Sequence, residues 1–320
     1  MFYFIVNPAA GNGKAMAAVP IISRVMREGG AAHAFIYTSA PDDFARVSAM
    51  VDYGAAKAIA CVGGDGTVQE YVGLAVGRDV DFAVIPAGCG NDFIYSMPGG
   101  GRKFGSFEEK IAYYTRAAVN GATIRADAVE VRGACAGAGS TGSAREPGAT
   151  GAACPKYFFN IGGAGIDVNV LKDSIPLKRR FGGASYFISL VKNVATYKPT
   201  EITLTVDGKA EKSDYLLMAV CNGAYYGGHL RIAPPAAIDD GKLTLCRISN
   251  MPRIKLVAVF PLVKPGRHVG FKEVLFTDCS SVKLEFNGRR TINLDGNLCD
   301  FESPLSFEIA KSAVRLVVCP

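Results

Sequence analysis

A glycine-rich corner that carries one carboxylate, GGDGT at positions 63–67, is the part of this sequence best suited to chemistry. It follows an apolar run and precedes an amphipathic one, which predicts a tight turn between a β-strand and an α-helix. Glycine allows such a turn, and the N–H groups at the start of a helix attract anions such as phosphate. Asp65 would repel a phosphate unless a divalent cation lay between them. The corner therefore suggests a binding site for a magnesium-bound nucleotide.

Two more glycine-rich corners, NPAAGNGK and PAGCGNDF, follow strand-like runs in the first 100 residues. Their polar side chains are those of Asn7, Lys14, Asn91 and Asp92. Ligands of parallel α/β sheets bind at the carboxyl ends of the strands, so three such corners favour one shared site. GGDGT taken alone also fits a simple tight turn. The P-loop and dinucleotide-binding glycine patterns are absent, which excludes those two binding modes.

The order of strand-like and helix-like runs predicts two domains. Over residues 1–122, apolar strands alternate with helices, which favours an α/β domain with a parallel sheet and helices on both faces. Consecutive strand-like runs with turn signals then predict a β-rich antiparallel sandwich over 123–305. The last segment, 306–320, is a candidate to return to the first domain. A low-complexity Gly/Ala/Ser stretch, 133–154, is expected to be a loop that joins two antiparallel strands.

Apolar runs and helix signals place the individual elements of these domains. Strands are predicted over 2–7, 32–37, 58–62, 81–85 and 123–132, one further strand over the KYFFNIGGAGID stretch, and helices over 16–28, 67–76 and 185–197. Six more strand-like runs follow: EITLTVDG, YLLMAVCNG, KLTLCRIS, SVKLEFNG, RTINLDGN and LSFEIA.

Composition narrows the class of protein. About half of the 320 residues are hydrophobic, which is enough for a buried core, and the net charge of +6 suits an anionic substrate, nucleotide or membrane surface. Nine dispersed cysteines without a C-x-x-C pair, and three separated histidines, argue against a zinc framework or a disulfide scaffold and favour a reducing cytosol. The sequence shows no signal-peptide pattern and no apolar run long enough to span a bilayer. We therefore expect a cytoplasmic protein, at most peripheral at the inner face of the membrane.

The three corners, followed by FFNIGGAGID, CNGAYYGGHLRIAPPAAIDDGKLTL and INLDGN, resemble in the same order the bacterial diacylglycerol kinase and related lipid kinase family, which has sphingosine kinases as relatives. The resemblance covers nearly the whole chain. Its most specific part is GGHLRIAPPAAIDDG, because NAD kinases and phosphofructokinases carry corners similar to GGDGT. The resemblance implies an ATP-dependent lipid kinase that binds ATP between its two domains and phosphorylates a lipid hydroxyl.

Carried over by position, the resemblance also implies the roles of individual residues. Mg²⁺ would be organised through water by Asp65, Asp92 and Asp127. A second metal site would use Ala237, Asp240 and Lys242, through backbone carbonyls and one carboxylate. The nucleotide site would be lined by Thr38, Cys89 and the run Gly64 to Glu70, which includes Asp65, Gly66 and Thr67, and Lys14 would contact phosphate. The corners themselves add Asn7, Gly63, Gly88 and Asn91 as candidates.

Two positions depart from the family pattern. Cys89 stands where the family usually has threonine, and a thiol is a weaker hydrogen-bond donor than a hydroxyl. The family's DGE is here Asp295-Gly296-Asn297, and an amide cannot act as a general base at neutral pH. We expect Asp295 to be the catalytic base, with Asp65 as the alternative.

Purely structural interpretations of these residues remain open beside the functional ones. Asp295 also fits a turn between strands, Asp127 a solvated strand position, and Lys14 an exposed lysine at a helix start. The Asp239–Gly241 segment also fits a hairpin turn. Each site assignment is therefore a hypothesis about chemistry that geometry must support.

Two other functions stay open. One is a kinase for a soluble acceptor such as NAD, and the other is a nucleotide- or lipid-binding regulator whose activity is impaired by Asn297. The pattern of strands does not reveal the shape of the lipid pocket, so the sequence does not identify the lipid. Diacylglycerol, a sphingoid base, phosphatidylglycerol and a polyprenol all remain candidates.

A lipid kinase must take its substrate from a membrane. Lys178, Arg179 and Arg180 precede a helix with aromatic and aliphatic residues, which favours reversible contact with an anionic membrane surface. A solvated loop followed by a helix packed in the core fits the same residues. We expect no nucleic-acid partner, and the oligomeric state stays open, with a homodimer as one option.

Overall fold

The protein is described here by a computed structural model that covers residues 1–39, 43–135, 156–181, 184–197 and 200–319. Its N-terminal part alternates strands and helices, as apolar runs separated by amphipathic ones require. The elements are β1 (Phe2–Val6), α1 (Lys14–Glu28), β2 (His33–Tyr37), α2 (Phe44–Ala49), β3 (Ala58–Gly63), α3 (Asp65–Tyr71), β4 (Asp81–Pro86), α4 (Asp92–Ser96) and α5 (Phe107–Asn120).

These strands form a parallel sheet in the order β4-β3-β1-β2. Strands β1 and β3 are buried along their whole length, which explains why they are continuous apolar runs rather than alternating ones. Helices α1 and α5 pack against each other, and both contact β3. The carboxyl ends of β1, β3 and β4 lead directly into the three glycine-rich corners.

The C-terminal part is β-rich. Its elements are β5 (Thr123–Arg132), β6 (Tyr157–Phe158), β7 (Ile161–Gly165), α6 (Ile166–Phe181), α7 (Ala184–Thr196), β8 (Thr200–Val206), β9 (Lys209–Cys221), β10 (Leu243–Ser249), α8 (Arg253–Val263), β11 (Val274–Cys279), β12 (Ser281–Glu285), β13 (Arg289–Leu294), β14 (Asn297–Glu302) and β15 (Leu305–Val317). Strands β14, β13, β7, β9, β8 and β12 pair in that order, and each pair is antiparallel. The predicted combination of a parallel α/β part and an antiparallel β-rich part is confirmed.

Strands β5 and β15 join the two parts. They pair with each other in an antiparallel ladder that shifts register between Ala310 and Val314. The first residues of β15 also pair with β12, whereas Arg315 and Leu316 near its end pair in parallel with β4. The end of β15 thus lies in the N-terminal sheet.

The KYFFNIGGAGID stretch is not one strand, so that prediction is wrong. It is divided into β6 and β7 because the N–H groups of Phe159 and Asn160 bind the carboxylate of Asp295 instead of a neighbouring strand. The helix after the GGDGT corner is also shorter than predicted, and a 3₁₀ turn (Val72–Leu74) follows it. Strands β5 and β6 pair in antiparallel fashion, as expected for strands joined by the low-complexity loop, most of which lies outside the described residues.

Helices α5, α6 and α8 have no counterpart in the sequence prediction. Helix α8 carries apolar residues on two opposite faces, so its sequence has no single apolar stripe to detect. In the part of the chain that the structure describes, no helix is long and apolar enough to cross a membrane.

Candidate active site

The GGDGT corner is shaped by contacts that only glycine permits. A Cβ atom on Gly63 would lie 2.4 Å from Oγ1 of Thr67, so a side chain at position 63 would displace that buried threonine. Oγ1 of Thr67 accepts a hydrogen bond of 3.1 Å from Nδ2 of Asn7. The corner after β3 is thereby attached to the corner after β1.

The corner after β4 packs directly on the GGDGT corner. A Cβ atom on Gly88 would lie 2.3 Å from Cα of Gly64, so the two backbones touch with no room for a side chain. Asn91 has a left-handed backbone (φ 59°) and holds Gly88 from both sides, since its Oδ1 accepts from the Gly88 N–H at 2.8 Å and its Nδ2 donates to the Gly88 carbonyl at 2.9 Å. The three corners therefore form one continuous surface of backbone groups.

Two carboxylates meet at this surface. A Cβ atom on Gly90 would lie 3.0 Å from Oδ2 of Asp65 and 3.5 Å from Oδ2 of Asp92, which places both oxygens around one point. Asp65 also accepts a hydrogen bond of 2.9 Å from the Phe93 N–H. Burial and the negative charge of Asp92 raise the pKa of Asp65 to about 6.

This pair fits a magnesium ion. Mg²⁺ usually binds one or two protein carboxylates and fills its other positions with water and substrate phosphate. A divalent cation would also relieve the repulsion that raises the pKa of Asp65. Asp92 is positioned from the β-rich part, because its carboxylate accepts from the N–H groups of Gly228 at 3.0 Å and His229 at 2.6 Å.

Asp127 is used differently. Its buried carboxylate accepts hydrogen bonds from the N–H groups of Gly241 at 2.7 Å and Ser312 at 2.6 Å, and so attaches one turn and the register shift of β15 to β5. Within the described ranges, no three acidic, histidine or cysteine side chains form a group that could hold a metal ion. The role of Asp127 toward Mg²⁺ therefore stays a prediction.

The turn proposed as a second metal site lies beside Asp127. Asp240 is exposed and accepts a hydrogen bond of 3.0 Å from the Lys242 N–H, while Nζ of Lys242 lies 3.3 Å from a carboxylate oxygen of Asp278. Partial burial raises the pKa of Asp240. Ala237 is half-buried at the start of this turn. A metal ion at this turn also stays a prediction.

Asp295 lies in the two-residue turn between β13 and β14. Both turn residues have positive φ (48° for Asp295 and 93° for Gly296), which suits an Asp-Gly hairpin turn. The buried carboxylate of Asp295 accepts from three backbone N–H groups, those of Phe159 at 2.7 Å, Asn160 at 3.1 Å and Ile161 at 2.6 Å. These bonds orient the carboxylate.

The proton affinity of Asp295 suits a general base. Burial raises its pKa to about 7, against the opposing effect of the three N–H donors, and the charge of Asp65 adds to the rise. A base with a pKa near the working pH is effective in proton transfer. Asp65 belongs to the α/β part and Asp295 to the β-rich part. Their two carboxylates therefore lie where the two parts meet.

Asn297 begins β14 and contacts the GGDGT corner. Its Nδ2 donates to the Gly66 carbonyl at 3.2 Å and to Oε1 of Gln69 at 2.6 Å. Nε2 of Gln69 in turn donates to the Tyr157 carbonyl at 3.1 Å. The residue that the sequence marked as a lost base thus bridges the two parts of the protein, and its contact with Gln69 was not predicted.

The remaining predicted nucleotide residues border the corners. Lys14 is exposed at the start of α1. The pKa of Lys110 is lowered, mainly because Lys110 is partly buried and also because of the positive charge of Lys14. Thr38 directly follows β2 and donates its N–H to the Val6 carbonyl at 2.9 Å. Glu70 is half-buried on α3, and Cys89 is an exposed free thiol. The role of these four residues toward a nucleotide stays a prediction.

Sequence reasoning missed three polar residues near this junction, Ser96, Asn160 and Asn222, of which the first two hold the β-rich part on α4. Oγ of Ser96 donates to Oδ1 of Asn160 at 2.9 Å and accepts from the Ala224 N–H at 3.1 Å. Nδ2 of Asn222 donates to the carbonyls of Asp127 at 3.1 Å and Phe159 at 2.8 Å. The only sequence signal for Asn160 and Asn222 is an asparagine that directly ends an apolar strand.

An apolar cavity lies under helices α6 to α8. A narrow inner part of about 60 Å³ adjoins an outer part of about 300 Å³, and Leu216, Met251 and Leu256 line both. The inner part is almost wholly apolar except for Asp167 and Tyr226. It suits a ligand that is mainly hydrocarbon.

Asp167 is the acidic group of this cavity. It is buried, its Oδ2 accepts from Nδ2 of Asn293 at 3.3 Å, and its Oδ1 has no hydrogen-bond partner among the described residues. Burial raises its pKa to about 7. The side chains of Lys178, Arg179 and Arg180, proposed above to meet a membrane, lie outside the described residues.

Two family models match the chain. The model of the diacylglycerol kinase catalytic domain matches residues 1–131, and that of the YegS C-terminal NAD kinase beta sandwich-like domain matches residues 161–318. The chain is 28% identical over 316 residues to the diacylglycerol kinase of Mycobacterium tuberculosis (strain ATCC 25618 / H37Rv), which covers 98% of this chain and 93% of that protein. It is 26% identical over 242 residues to the diacylglycerol kinase of Bacillus subtilis (strain 168), 74% of this chain and 70% of that protein.

A solved structure shares the fold. The crystal structure of a diacylglycerol kinase from Bacillus anthracis str. Sterne superposes with a TM-score of 0.65 at 18% identity, over 100% of this chain and 97% of that one. At this identity the similarity concerns the fold, and it agrees with the two-part architecture described above.

Proposed function

Because the chain belongs to the diacylglycerol kinase and related lipid kinase family, whose members are phosphotransferases, we propose that it transfers the γ-phosphoryl group of ATP to a lipid hydroxyl. Diacylglycerol is the acceptor to test first. The observation that carries this proposal is the meeting of the GGDGT corner with the Asp295 turn, because it puts a phosphate-binding backbone and a candidate base at one junction. We further propose that the protein works in the cytoplasm, at the inner face of the membrane.

Phosphoryl transfer depends mainly on alignment and on neutralising charge. The N–H groups at the start of α3 and the exposed Lys14 supply positive potential for phosphate oxygens. Mg²⁺, when bound, would neutralise further phosphate charge, and Asp65 and Asp92 are the residues that would hold it. Asp295 accepts the proton as the O–H bond of the acceptor breaks, the hydroxyl oxygen bonds to the γ-phosphorus, and ADP leaves.

The apolar cavity supports a lipid rather than a soluble acceptor. NAD is polar throughout, whereas the inner cavity presents apolar side chains with one carboxyl and one tyrosine. Asp167 is suited to bind the polar end of a lipid, since one of its oxygens has no hydrogen-bond partner within the described residues. A regulator without activity is a weaker alternative, because backbone N–H groups still hold the carboxylate of Asp295 with asparagine at position 297.

The test is to incubate the purified protein with labelled ATP and Mg²⁺ in mixed micelles that carry diacylglycerol, a sphingoid base, phosphatidylglycerol or a polyprenol. NAD serves as the soluble acceptor. We expect label in one lipid and none in NAD. Label in NAD alone would contradict the lipid proposal, and ATP binding without label in any acceptor would favour the regulator.

A further inference from the structure

Helix α8 has two apolar faces. Leu256, Val259, Phe260 and Val263 recur at helical spacing and line the inner cavity. The opposite face is exposed, and it carries Ile254 with 84% of its surface accessible and Val257 with 55%. Ala258 and Pro261 continue this outer row and are also exposed. A helix on the surface of a water-soluble domain normally presents polar residues there, so the outer row needs a partner.

The surroundings of this outer row are positively charged. The segment 253–272 contains five basic residues and no acidic one. Of these, Lys255 forms an ion pair of 2.7 Å with Glu273. Lys264, Arg267 and Lys272 are exposed, and none of them forms an ion pair with any residue that the structure describes. Apolar side chains with exposed cations beside them match the interface of an anionic bilayer.

The outer row also lies next to the opening of the cavity. The outer part of the cavity is lined by Pro252 and Arg253, at the start of α8, and by Leu256 one turn further on. The 3₁₀ turn that follows α8 adds another exposed apolar side chain, Val269. A bilayer resting on the outer row would thus lie beside the entrance through which a hydrocarbon chain could reach the inner cavity.

We propose that the outer face of α8 (Ile254, Val257, Ala258 and Pro261) docks on the surface of an anionic membrane. This rests on the proposed function in one respect, that the acceptor lipid is taken from a bilayer. A second copy of the chain is less suited than a membrane to cover this face of α8. A symmetric contact through the face would bring the positively charged side chains of the two copies together. The membrane contact is therefore placed on α8 by exposure, charge and the position of the cavity.

The test is co-sedimentation with vesicles of phosphatidylcholine containing phosphatidylglycerol, without ATP, so that binding is measured apart from catalysis. The variant Ile254→Ser with Val257→Ser should bind at least about tenfold more weakly, because it removes the two most exposed aliphatic side chains. Met50→Ser, at an exposed methionine directly after α2, is the matched control and should bind like the unchanged protein. Lys264→Glu with Arg267→Glu should lose the preference for anionic vesicles, since each basic residue contributes about fivefold to partitioning.

Activity separates this proposal from the proposed function. With the acceptor identified in micelles, the serine double variant should show a raised KM on vesicles and unchanged kcat with a short-chain soluble analogue of that acceptor. Three results would overturn the membrane proposal. The first is no vesicle binding by the unchanged protein, and the second is equal binding by the double variant. The third is a dimer of the unchanged protein that the two serine substitutions disrupt without any change in vesicle binding. Vesicle binding through α8 without phosphorylation of any lipid would instead overturn the proposed function and leave the membrane proposal supported.

Discussion

The side-chain amide of Asn297 donates to Oε1 of Gln69 at 2.6 Å, and so attaches the start of β14 to the helix that carries Asp65. The two residues are 228 positions apart, and the bond crosses from the β-rich part to the α/β part. Gln69 is held in one orientation, because its Nε2 donates to the Tyr157 carbonyl at 3.1 Å. An oxygen of Gln69 therefore faces position 297, and the structure requires a donor there.

The first prediction concerns Asn297→Glu, the substitution that restores the family's DGE sequence. The carboxylate would lose the bonds to Gly66 and Gln69 and would face their oxygens instead. Rotating Gln69 would not help, since its oxygen would then meet the Tyr157 carbonyl. We expect the free energy of unfolding to fall by about 1–3 kcal/mol and kcat to stay the same or fall. Asn297→Asp, which shortens the acid, is the matched control for charge, and an increase in kcat for Asn297→Glu at unchanged stability would contradict the prediction.

The second prediction concerns Asp295→Asn. If Asp295 is the base, the variant should lose at least about 100-fold in turnover while ATP binding persists. Because burial raises the pKa of Asp295 to about 7, kcat of the unchanged protein should fall as the pH drops below about 7, where the carboxyl is protonated and cannot accept a proton. The measurements are initial rates across pH and ATP binding by calorimetry. Near-normal turnover in the variant, or a kcat of the unchanged protein that does not vary between pH 5.5 and pH 8, would show that Asp295 is not the base.

The third prediction concerns metal binding. Asp65→Asn removes one of the two carboxylate oxygens that surround Gly90, and with it the repulsion from Asp92. We expect the Mg²⁺ concentration for half-maximal rate to rise by at least about tenfold. Titration of Mg²⁺ at fixed ATP measures this. An unchanged Mg²⁺ requirement would show that the metal ion is held elsewhere.

The glycine corners could be predicted from sequence because their physics is local. A run such as GGDGT can form a tight turn only through residues that are adjacent in the chain, and α/β alternation places each corner at a strand end. That Asp65 and Asp92 act together on Mg²⁺ was implied by the family resemblance. Their geometry needed the structure, because Gly64 and Gly88 meet through backbone contact.

The contacts across the two parts could not be predicted. Gln69 looks like an ordinary polar position on a helix, and only the fold brings Asn297 to it. Asp127, which the family resemblance assigned to Mg²⁺, accepts hydrogen bonds from two backbone N–H groups, and its place in an alternating strand gave no sign of them. Helix α8 escaped detection because its residues are apolar on both faces.

The fourth prediction concerns the contact between two corners. In Gly88→Ala the new Cβ would lie 2.3 Å from Cα of Gly64, and neither backbone can move aside without separating the corners. We expect a loss of about 1–3 kcal/mol in the free energy of unfolding and weaker ATP binding. Gly270→Ala is the matched control, because a Cβ there would meet no atom within 4 Å. Equal effects of the two substitutions, measured by denaturant unfolding and calorimetry, would contradict the close contact.

The last prediction concerns Asp167 and the pH dependence of stability. Burial raises its pKa in the folded protein to about 7, well above its ordinary value of 3.8, so the folded state binds this proton more tightly than the unfolded state does. The carboxyl therefore costs the fold little at pH 4, progressively more as the pH rises, and a constant amount above about pH 7. Asp167→Asn, which resembles the neutral acid, should be about as stable as the unchanged protein at pH 4 and more stable at pH 8, by up to about 4 kcal/mol. Denaturant unfolding at the two pH values measures this, with the exposed Asp239→Asn as control. A stability difference that does not change between pH 4 and pH 8 would show that Asp167 titrates normally in the folded protein.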